Sequence, residues 1–379
     1  MTEPERTVVV GGGVLGCFTA LELARHGVDT TIIEAATLGG GTSASSFAWI
    51  NASAKGPYDY FRLNADGVEA WQVVEGEWRP DSPFHRVGNL DWAGTAGLDA
   101  GAGGNLAEKA ERLQRWGYNT QLLSAGQAAA VEPAVSFDDA LDGVLHFPDE
   151  GFVHAPSLFR ALRARLVDGG VHLHEHAVVT SVHAASGRPT VLLADGSQLV
   201  ADHVVLACGN GAPSLLGRTQ MRPLLKEPGV DNGIYGLLVT ATAPRGFGSI
   251  LHAPDLNARP DHGDLIVIHS EAVDALVEKP DDVGTLVDEL VQRASRRTGS
   301  RVAALSHRVG IRVVPRDERS IVGWIPGLER CYVLLSDSGM TLGPLLGRLA
   351  AEEIHLERRI SQLDAFRPQR FAETAEAGE

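Results

Sequence analysis

Three glycines near the beginning of the chain have the spacing needed to bind the phosphates of a dinucleotide. Gly11, Gly13 and Gly16 lie in G-x-G-x-x-G register directly after a β-branched run, which is typical of a strand buried on both faces. Such glycines let the backbone turn tightly and approach a pyrophosphate, while the N–H groups at the start of the next helix face the phosphates. A second predicted strand, residues 30–33, ends at Glu34, 18 residues after Gly16, near the spacing of about 20 at which a carboxylate accepts ribose hydroxyl groups. We therefore predict a bound dinucleotide without a 2′-phosphate, whose charge Glu34 would repel.

A loop rich in Gly, Ser and Thr, residues 39–46, follows Glu34. Its backbone N–H groups and hydroxyls suit a second set of phosphate or ring contacts. The alternative is a flexible surface linker. The position of the loop directly beyond the ribose acid favours contact with the cofactor.

Three histidines alternate along a predicted strand over residues 171–179. His172, His174 and His176 would then share one face. One interpretation is a metal site. We favour the other, in which Val171 and Leu173 fill the buried face and the histidines face solvent, because no Asp, Glu or Cys is recognisably placed to complete a coordination set. We therefore predict no bound metal.

The three cysteines, Cys17, Cys208 and Cys331, are widely spaced in apolar segments. They are predicted to be small core residues in a reducing compartment, with no metal or redox spacing. Neither a G-x-S-x-G elbow, H-E-x-x-H, a Walker loop nor C-x-x-C is present, so hydrolase, zinc and kinase chemistry have no support.

The length and the net charge of the chain limit the classes of protein to which it can belong. A chain of 379 residues can bury a large core and is expected to form two domains. With 48 acidic and 33 basic residues, and a net charge of −15, nucleic acid and an anionic membrane surface are not expected as partners. Neither a signal peptide nor an apolar run long enough to span a membrane is indicated, so we expect a soluble, cytoplasmic protein.

Helical periodicity and capping residues predict the elements that position these residues. Besides the helix that follows the glycine motif and stops at Gly27, six helices are expected, over residues 58–72, 105–117, from 124, 156–169, 283–294 and 341–357. A hairpin over residues 191–205 is expected to turn at Asp195-Gly196. The Gly/Ala stretch 93–104 is expected to be a loop, and the acidic end, residues 372–379, to be disordered.

Four separated parts of the chain together resemble the D-amino-acid oxidase family of FAD-dependent oxidoreductases, which includes glycine oxidases and sarcosine oxidases. The parts are VVVGGGVLG with its Glu34, the loop GGGTSASS, the strand DHVVLACGNGAPSLL, and the C-terminal segments GIRVVPRDERSIVGWIP, SDSGMTLGPLLGRLAAEEI and FRPQRF. The resemblance implies an α/β protein with a glutathione-reductase-like Rossmann FAD domain and an inserted antiparallel-sheet substrate domain. The implied FAD domain comprises residues 1–54, 151–214 and 306–379, and the implied substrate domain comprises residues 55–150 and 215–305.

The resemblance also implies which residues bind FAD. Gly11, Gly13 and Gly16 would hold the pyrophosphate, Glu34 the adenosine ribose, and the backbone of Val179 the adenine. The start of the last helix would stabilise negative charge at the pyrimidine edge of the reduced flavin. Further cofactor contacts are expected at Val14, Leu15, Ala35, Thr42, Ser43, Ala207, Gly209, Arg312, Gly339, Met340 and Thr341.

Arg312 is the most informative of the residues implied to bind substrate. In GIRVVP it matches the arginine with which amino-acid oxidases of this family clamp a substrate carboxylate, a role that suits a planar bidentate fork. The alternative is a surface arginine. Where many members read Gly-His, this chain has Ser336-Asp337, so Asp337 either recognises an amine or forms a turn. Further substrate or catalytic candidates, each of which is alternatively a core or rim residue, are His252, Tyr235, Trp49 and Asn51.

Two positions at which other family members carry reactive groups differ in this chain. The covalent-flavin cysteine of sarcosine oxidases falls near Gly310, and the lysine associated with their oxygen reactivity falls near Ile266. We therefore predict non-covalent FAD, without assured fast reaction with oxygen.

The leading hypothesis is an FAD-dependent oxidoreductase that oxidises the C–N bond of an amino acid or amine, with oxygen or another acceptor reoxidising the flavin. A second is an FAD-dependent 2-hydroxy-acid or amine dehydrogenase that uses a quinone or a protein acceptor. A third, of another class, is a non-catalytic protein that binds FAD for structure or assembly.

Overall fold

The computed structural model describes residues 5–92, 105–140, 142–184, 187–217 and 221–372. Over these residues the chain is a mixed α/β protein with parallel and antiparallel sheets, as predicted. The expected loop 93–104 lies outside the described residues, and so does the expected disordered end beyond Ala372.

The strands of the described residues are, in chain order, β1 Arg6–Val10, β2 Asp29–Ile33, β3 Trp49–Ile50, β4 Phe84–His85, β5 Asn89–Asp91, β6 Gln121–Leu123, β7 Val144–Phe147, β8 Gly151–Val153, β9 His172–His174, β10 Val179–His183, β11 Thr190–Leu193, β12 Gln198–Val200, β13 His203–Leu206, β14 Tyr235–Thr242, β15 Ile250–His252, β16 Asn257–Pro260, β17 Leu265–His269, β18 Ala304–Ile311, β19 Ile321–Trp324 and β20 Cys331–Leu335.

The α-helices of the same residues are α1 Val14–Arg25, α2 Tyr58–Glu77, α3 Leu106–Arg115, α4 Ala125–Val131, α5 Ala155–Asp168, α6 Ala212–Leu216, α7 Glu271–Asp274, α8 Gly284–Thr298 and α9 Gly339–Leu356. Short 3-10 helices cover Thr42–Ser45, Gly209–Gly211, Ser361–Phe366 and Pro368–Phe371.

The chain divides into two compact units. Unit 1 comprises Met1–Ala44, Ala155–Val230 and Arg312–Glu379, and unit 2 comprises Ser45–His154 and Asp231–Ile311. This division follows internal packing and not ligand binding. The assignment of FAD to one domain and substrate to the other therefore stays a prediction.

The centre of unit 1 is a six-stranded sheet in the order β19-β20-β13-β1-β2-β9. All neighbouring pairs are parallel except β19 with β20. Val8 of β1 pairs with Val204 on one side and Thr31 on the other, and it has no exposed surface. Because parallel strands end at the same edge, the residues that follow β1, β2, β13 and β20 come together there.

The predicted strand over residues 171–179 is wrong in extent. The strand β9 stops at His174, and β10 starts at Val179 in a separate sheet with β11 and β12. Between them His176 has a φ of +57°, a left-handed conformation that ends a strand. The three histidines are exposed and Val171 is buried, as the favoured interpretation held, but Leu173 is only half-buried. Within the described part of the chain no group of three or more His, Cys, Asp or Glu residues is arranged to hold a metal.

The predicted hairpin over residues 191–205 is correct only in its first part. The strands β11 and β12 are antiparallel, and Gly196 has a φ of +86° at their turn. The next strand, β13, instead joins the six-stranded sheet parallel to β1. A buried parallel strand and a hairpin strand have similar apolar character, so the sequence pattern did not separate them.

Unit 2 contains an eight-stranded sheet in the order β18-β14-β17-β16-β15-β5-β7-β6. Its pairs are antiparallel except β15 with β5. Residues of this sheet form a core with α8, whose Val287, Leu290 and Ala294 are buried, as the helical stripe predicted. A small sheet, β3-β8-β4, belongs to the same unit.

The predicted helix starts are confirmed at two capping residues in unit 2. The side chain of Asn105 accepts the N–H of Glu108, and Ser124 and Gln127 form a capping box. Such caps satisfy N–H groups that have no partner inside the helix. The last helix, α9, begins at Gly339, two residues before the predicted start. None of the described helices combines the length and apolar character needed to cross a bilayer.

Candidate functional site

The glycine loop of unit 1 joins β1 to α1. Gly11 donates its N–H to Ile33 O at 2.8 Å and has a φ of +107°, which side chains rarely tolerate. A Cβ on Gly11 would lie 2.6 Å from Ala207 O, and one on Gly16 would overlap Gly11 O. The loop is therefore a cradle of bare backbone, which is the form in which a chain can approach a pyrophosphate.

The carboxylate of Glu34 closes the other side of this cradle at the end of β2. Its Oε2 accepts the N–H of Gly12 at 2.7 Å, and its Oε1 accepts the N–H of Ala36 at 2.8 Å. These two bonds fix the orientation of the carboxylate. Because two carboxylate oxygens have about four acceptor sites, the group is suited to accept ribose hydroxyls while it keeps both.

The start of α1 presents N–H groups beside this carboxylate. Gly13 is the N-cap and provides no side-chain cap. The N–H of Val14 donates to Ser43 Oγ at 3.2 Å, so the loop over residues 39–46 contacts the helix start within unit 1. Helix N-termini of this kind attract phosphate through their N–H groups and the helix dipole.

A stripe of glycines lets α9 pack closely on α1. Gly339, Gly343 and Gly347 follow one another at intervals of four residues on α9. A Cβ on Gly343 would lie 2.7 Å from Val14 Cγ2, and one on Gly347 would lie 2.6 Å from Phe18 Cβ. This contact sets the start of α9, with the buried residues Met340 and Thr341, beside the start of α1.

The end of β13 lies against the same glycine loop. Ala207 donates its N–H to Val10 O at 2.9 Å, and Gly209 has a φ of +53°. A Cβ on Gly209 would lie 3.1 Å from Val313 Cγ2. The segment that carries Arg312 is therefore next to the end of β13.

Cys17 and Cys208 lie next to the glycine loop and are held as thiols. Cys17 Sγ contacts Gly12 O at 3.3 Å. Burial, with a smaller contribution from the negative charge of Glu34, raises the pKa of the Cys17 thiol far above its ordinary value. Burial also raises the pKa of Cys208 to about 12. Neither sulfur therefore has the thiolate character that nucleophilic or redox chemistry requires.

Arg312 forms a two-point ion pair with Asp337. Arg312 Nε donates to Asp337 Oδ1 at 3.2 Å, and Nη2 donates to Oδ2 at 2.8 Å. Arg312 follows the last residue of β18, and Asp337 precedes Ser338, the N-cap of α9. The two predicted residues are thus together, although the sequence did not predict that they bind each other.

Val179 is the first residue of β10 and is half-buried. Two residues earlier, Ala177 donates its N–H to Glu34 O at 2.9 Å. The chain that leads to Val179 therefore runs beside the predicted ribose acid.

The other predicted substrate residues belong to unit 2, where three of them share one polar network. The rings of Trp49 and His252 are 3.9 Å apart between centroids, and Asn51 Nδ2 donates to Trp49 O at 3.3 Å. Trp49 Nε1 donates to Glu150 Oε2 at 2.9 Å. Tyr235 is not part of this network in the described contacts: it lies at the start of β14, opposite Ile311 of β18 in the sheet.

Burial makes His252 a neutral group. It is 8% exposed, its Nδ1 lies 2.8 Å from Asn89 Oδ1, and desolvation lowers its pKa to about 3. A histidine with this pKa is uncharged near neutral pH, so it can donate or accept a hydrogen bond but does not supply a cation.

Glu150 is the residue at the centre of this network that the sequence did not reveal. Its carboxylate accepts from Trp49, Asn89 and Tyr118 side chains and from the N–H of Ser53. Burial nonetheless raises its pKa. In the sequence Glu150 belongs to a Pro-Asp-Glu-Gly turn and has no periodic signal. The glycine stripe of α9, by contrast, is visible as a G-x-x-x-G-x-x-x-G spacing.

The class of protein follows from comparison with known sequences. The model of the DAO family, described as FAD dependent oxidoreductase, matches residues 6–353. The chain therefore belongs to the DAO family and is an FAD-dependent oxidoreductase. The bare glycine cradle and the oriented Glu34 carboxylate fit the ADP part of that cofactor, since a side chain at Gly11 would fill the cradle.

Two relatives and one solved structure illustrate the similarity. Glycine oxidase of Geobacillus kaustophilus is 25% identical over 97% of this chain and 97% of its own length. A 4-methylaminobutanoate oxidase (formaldehyde-forming) of Paenarthrobacter nicotinovorans is 29% identical over 54% of this chain, but the match spans only 24% of that longer protein. The crystal structure of the Geobacillus glycine oxidase has the same fold, with a TM-score of 0.82, 23% identity, and coverage of 99% of this chain and 100% of that chain.

Proposed function

We propose that this protein oxidises a C–N bond of an amino acid or a related amine with non-covalently bound FAD. The observation that carries the proposal is the glycine cradle of unit 1, closed by the Glu34 carboxylate. The same unit holds the Arg312–Asp337 pair, which is the candidate contact for the substrate. The names of two relatives, glycine oxidase and 4-methylaminobutanoate oxidase, both denote oxidation of compounds that contain an amine.

In this proposal the chain's own residues bind and orient the reactants. Gly11, Gly13 and the N–H groups of α1 hold the pyrophosphate, and Glu34 accepts the ribose hydroxyls. The positive end of α9 stabilises negative charge that develops at the flavin. When bound, FAD would supply the redox chemistry: it would take up the hydride removed from the carbon that bears the neutral amine, the imine product would be hydrolysed by water, and oxygen or another acceptor would take the electrons from the reduced flavin.

The substrate contacts proposed in unit 2 are Trp49, Asn51, Tyr235 and His252. Because the pKa of His252 is about 3, this residue acts in the proposal as a neutral hydrogen-bonding group. An ammonium substrate loses its proton to solvent, or it reaches the site already neutral at the working pH. No protein nucleophile is needed.

Non-covalent attachment is supported by the residue at the position that the resemblance assigns to a flavin-linked cysteine. That residue is Gly310, and a Cβ there would lie 2.5 Å from Ser45 Cβ. A larger residue would require the backbone of unit 2 to shift. Acid precipitation is expected to leave all yellow colour in the supernatant, and colour that stays with the pellet would contradict this part of the proposal.

The test of function is anaerobic bleaching of the purified yellow protein. The panel comprises D- and L-amino acids, N-methyl amino acids, simple amines and 2-hydroxy acids. Loss of the flavin absorbance with at least one amine, followed by its return in air or with a quinone, is the expected result. Bleaching by 2-hydroxy acids alone, or by no compound, would overturn the proposal.

A further inference from the structure

The Arg312–Asp337 ion pair occupies one of the edges at which a guanidinium binds a carboxylate through two N–H groups. The Nε and Nη2 atoms donate in parallel to the two oxygens of Asp337, at 3.2 and 2.8 Å. This is the bidentate fork with which arginine recognises a carboxylate ligand. A substrate carboxylate that seeks the same edge must therefore compete with a carboxylate of the protein.

The backbone that carries Asp337 is fixed on both sides. Ser336, directly after β20, shares a 2.8 Å hydrogen bond between its hydroxyl and that of Ser320. The Ser336 hydroxyl also accepts the N–H of Ser338 at 3.0 Å. Both flanking serines are buried. The side chains of Arg312 and Asp337 are 36% and 18% exposed, so water screens the guanidinium more than it screens the carboxylate.

The pair has no net charge, and this decides what can bind beside it. An approaching carboxylate meets a guanidinium whose positive charge is already balanced by Asp337. Displacing Asp337 would leave two carboxylates near one cation, and like charges at short range oppose binding. An uncharged group on the substrate meets no such penalty.

We propose that Asp337 is a specificity-determining residue that occupies the carboxylate position of Arg312 and so excludes substrates with a carboxylate on the reacting carbon. The substrate class is then an amine whose reacting carbon bears hydrogen or an uncharged substituent. This inference rests on the proposed C–N oxidation for its substrate class, but the competition between the two carboxylates is testable without turnover.

The first test is calorimetric titration of the FAD-loaded protein with benzoate, an unreactive carboxylate. Asp337→Asn removes the charge with little change in size, and it should tighten benzoate binding by about tenfold or more, as expected for a charge-assisted hydrogen-bonded pair. Asp337→Glu keeps the charge and should bind benzoate as weakly as the native protein does.

Asp317→Asn is the matched control. Asp317 also accepts two bonds from one arginine, since Arg370 Nε and Nη2 donate to its oxygens at 2.6 and 3.1 Å, and this pair lies elsewhere in unit 1. Its loss should leave benzoate binding unchanged. Equal FAD content in all variants establishes that they are folded.

The second test uses two pairs of compounds that differ only in the carboxylate: sarcosine with dimethylamine, and phenylglycine with benzylamine. Under anaerobic conditions the carboxylate-free member should bleach the native flavin at lower concentration. Asp337→Asn should reverse or abolish that preference.

The outcomes separate the two proposals. Unchanged benzoate affinity in Asp337→Asn, or a native protein that prefers sarcosine and phenylglycine, would overturn the role of Asp337 while C–N oxidation stands. Tighter benzoate binding in a protein that no amine bleaches would support exclusion of carboxylates by Asp337 and overturn C–N oxidation.

Discussion

Replacing Gly347 by alanine tests how closely α9 must lie against α1. An added Cβ would be 2.6 Å from Phe18 Cβ, 2.7 Å from Phe18 C and 2.9 Å from Thr19 N. Carbon atoms in contact prefer a separation of about 3.5–4.0 Å. Two of the three atoms are backbone of α1, so no side-chain rotation relieves the overlap and the helices must separate.

The expected size follows from two opposing effects. Overpacking typically costs about 1–3 kcal/mol, while alanine in place of glycine in a helix contributes up to about 1 kcal/mol of stability. We therefore expect Gly347→Ala to be less stable by up to about 2 kcal/mol when the gain in helix propensity is fully realised. Gly343→Ala should be less severe, because its Cβ meets only side-chain atoms, Val14 Cγ2 at 2.7 Å and Phe18 Cδ2 at 3.1 Å.

Urea unfolding, followed by circular dichroism and by flavin fluorescence, measures these changes. Gly76→Ala is the control, because Gly76 is an exposed residue of α2 with nothing within 4 Å of an added Cβ. It should raise the midpoint, and Gly347→Ala should lower the midpoint and release FAD earlier. If Gly347→Ala raised the midpoint as Gly76→Ala does, the close-packing argument would be wrong.

Two further predictions concern the cofactor cradle and the buried histidine. In Gly11→Ala the new residue would have to adopt a φ of +107° and its Cβ would lie 2.6 Å from Ala207 O, so the purified variant should lose most of its FAD. The ratio of flavin to protein absorbance after gel filtration measures this loss. A ratio equal to that of Gly76→Ala would contradict the cradle assignment. Burial lowers the pKa of His252 to about 3, whereas its pKa in the unfolded chain is about 6.5. The stability that this neutral histidine contributes is therefore present above a pH of about 6.5 and is lost as the pH falls toward 3. Over that interval the free energy of unfolding should fall by up to about 1.4 kcal/mol per pH unit. His252→Asn should flatten the decline in unfolding free energy between pH 6.5 and 4, whereas replacement of the exposed His174 should not; equal slopes in both variants would refute the assignment.

The parts of the fold that depend on local sequence could be predicted. Three such features follow from residues a few positions apart: the segment from β1 through the glycine loop to β2, the caps Asn105 and Ser124, and the turn at Gly196. Local rules of capping, turn geometry and periodicity are sufficient for such elements.

The partners of charged residues could not be predicted in the same way. Arg312 and Asp337 are 25 residues apart in the chain, and Trp49 and Glu150 are 101 apart. Nothing in the sequence around each residue indicates which carboxylate it will meet, because the meeting is decided by sheet topology. The sequence therefore named Arg312 and Asp337 as candidate site residues and assigned each a separate ligand, but it did not predict that they bind each other.

The order of strands in unit 1 has a consequence for how the protein is made. Strand β1 pairs with β2 within its own N-terminal segment, but its other neighbour, β13, is 196 residues away in the register Thr7 to His203. Strand β20, which pairs with β13, and helix α9, which covers α1, come later still. During translation the glycine loop is therefore synthesised among the first residues, but it lacks β13 and α9 until most of the chain has left the ribosome. We expect FAD capture to be a late event in biosynthesis. A nascent chain that ends before His203 should expose one edge of β1 to chaperones, and a longer chain that ends before Gly339 should expose the apolar face of α1.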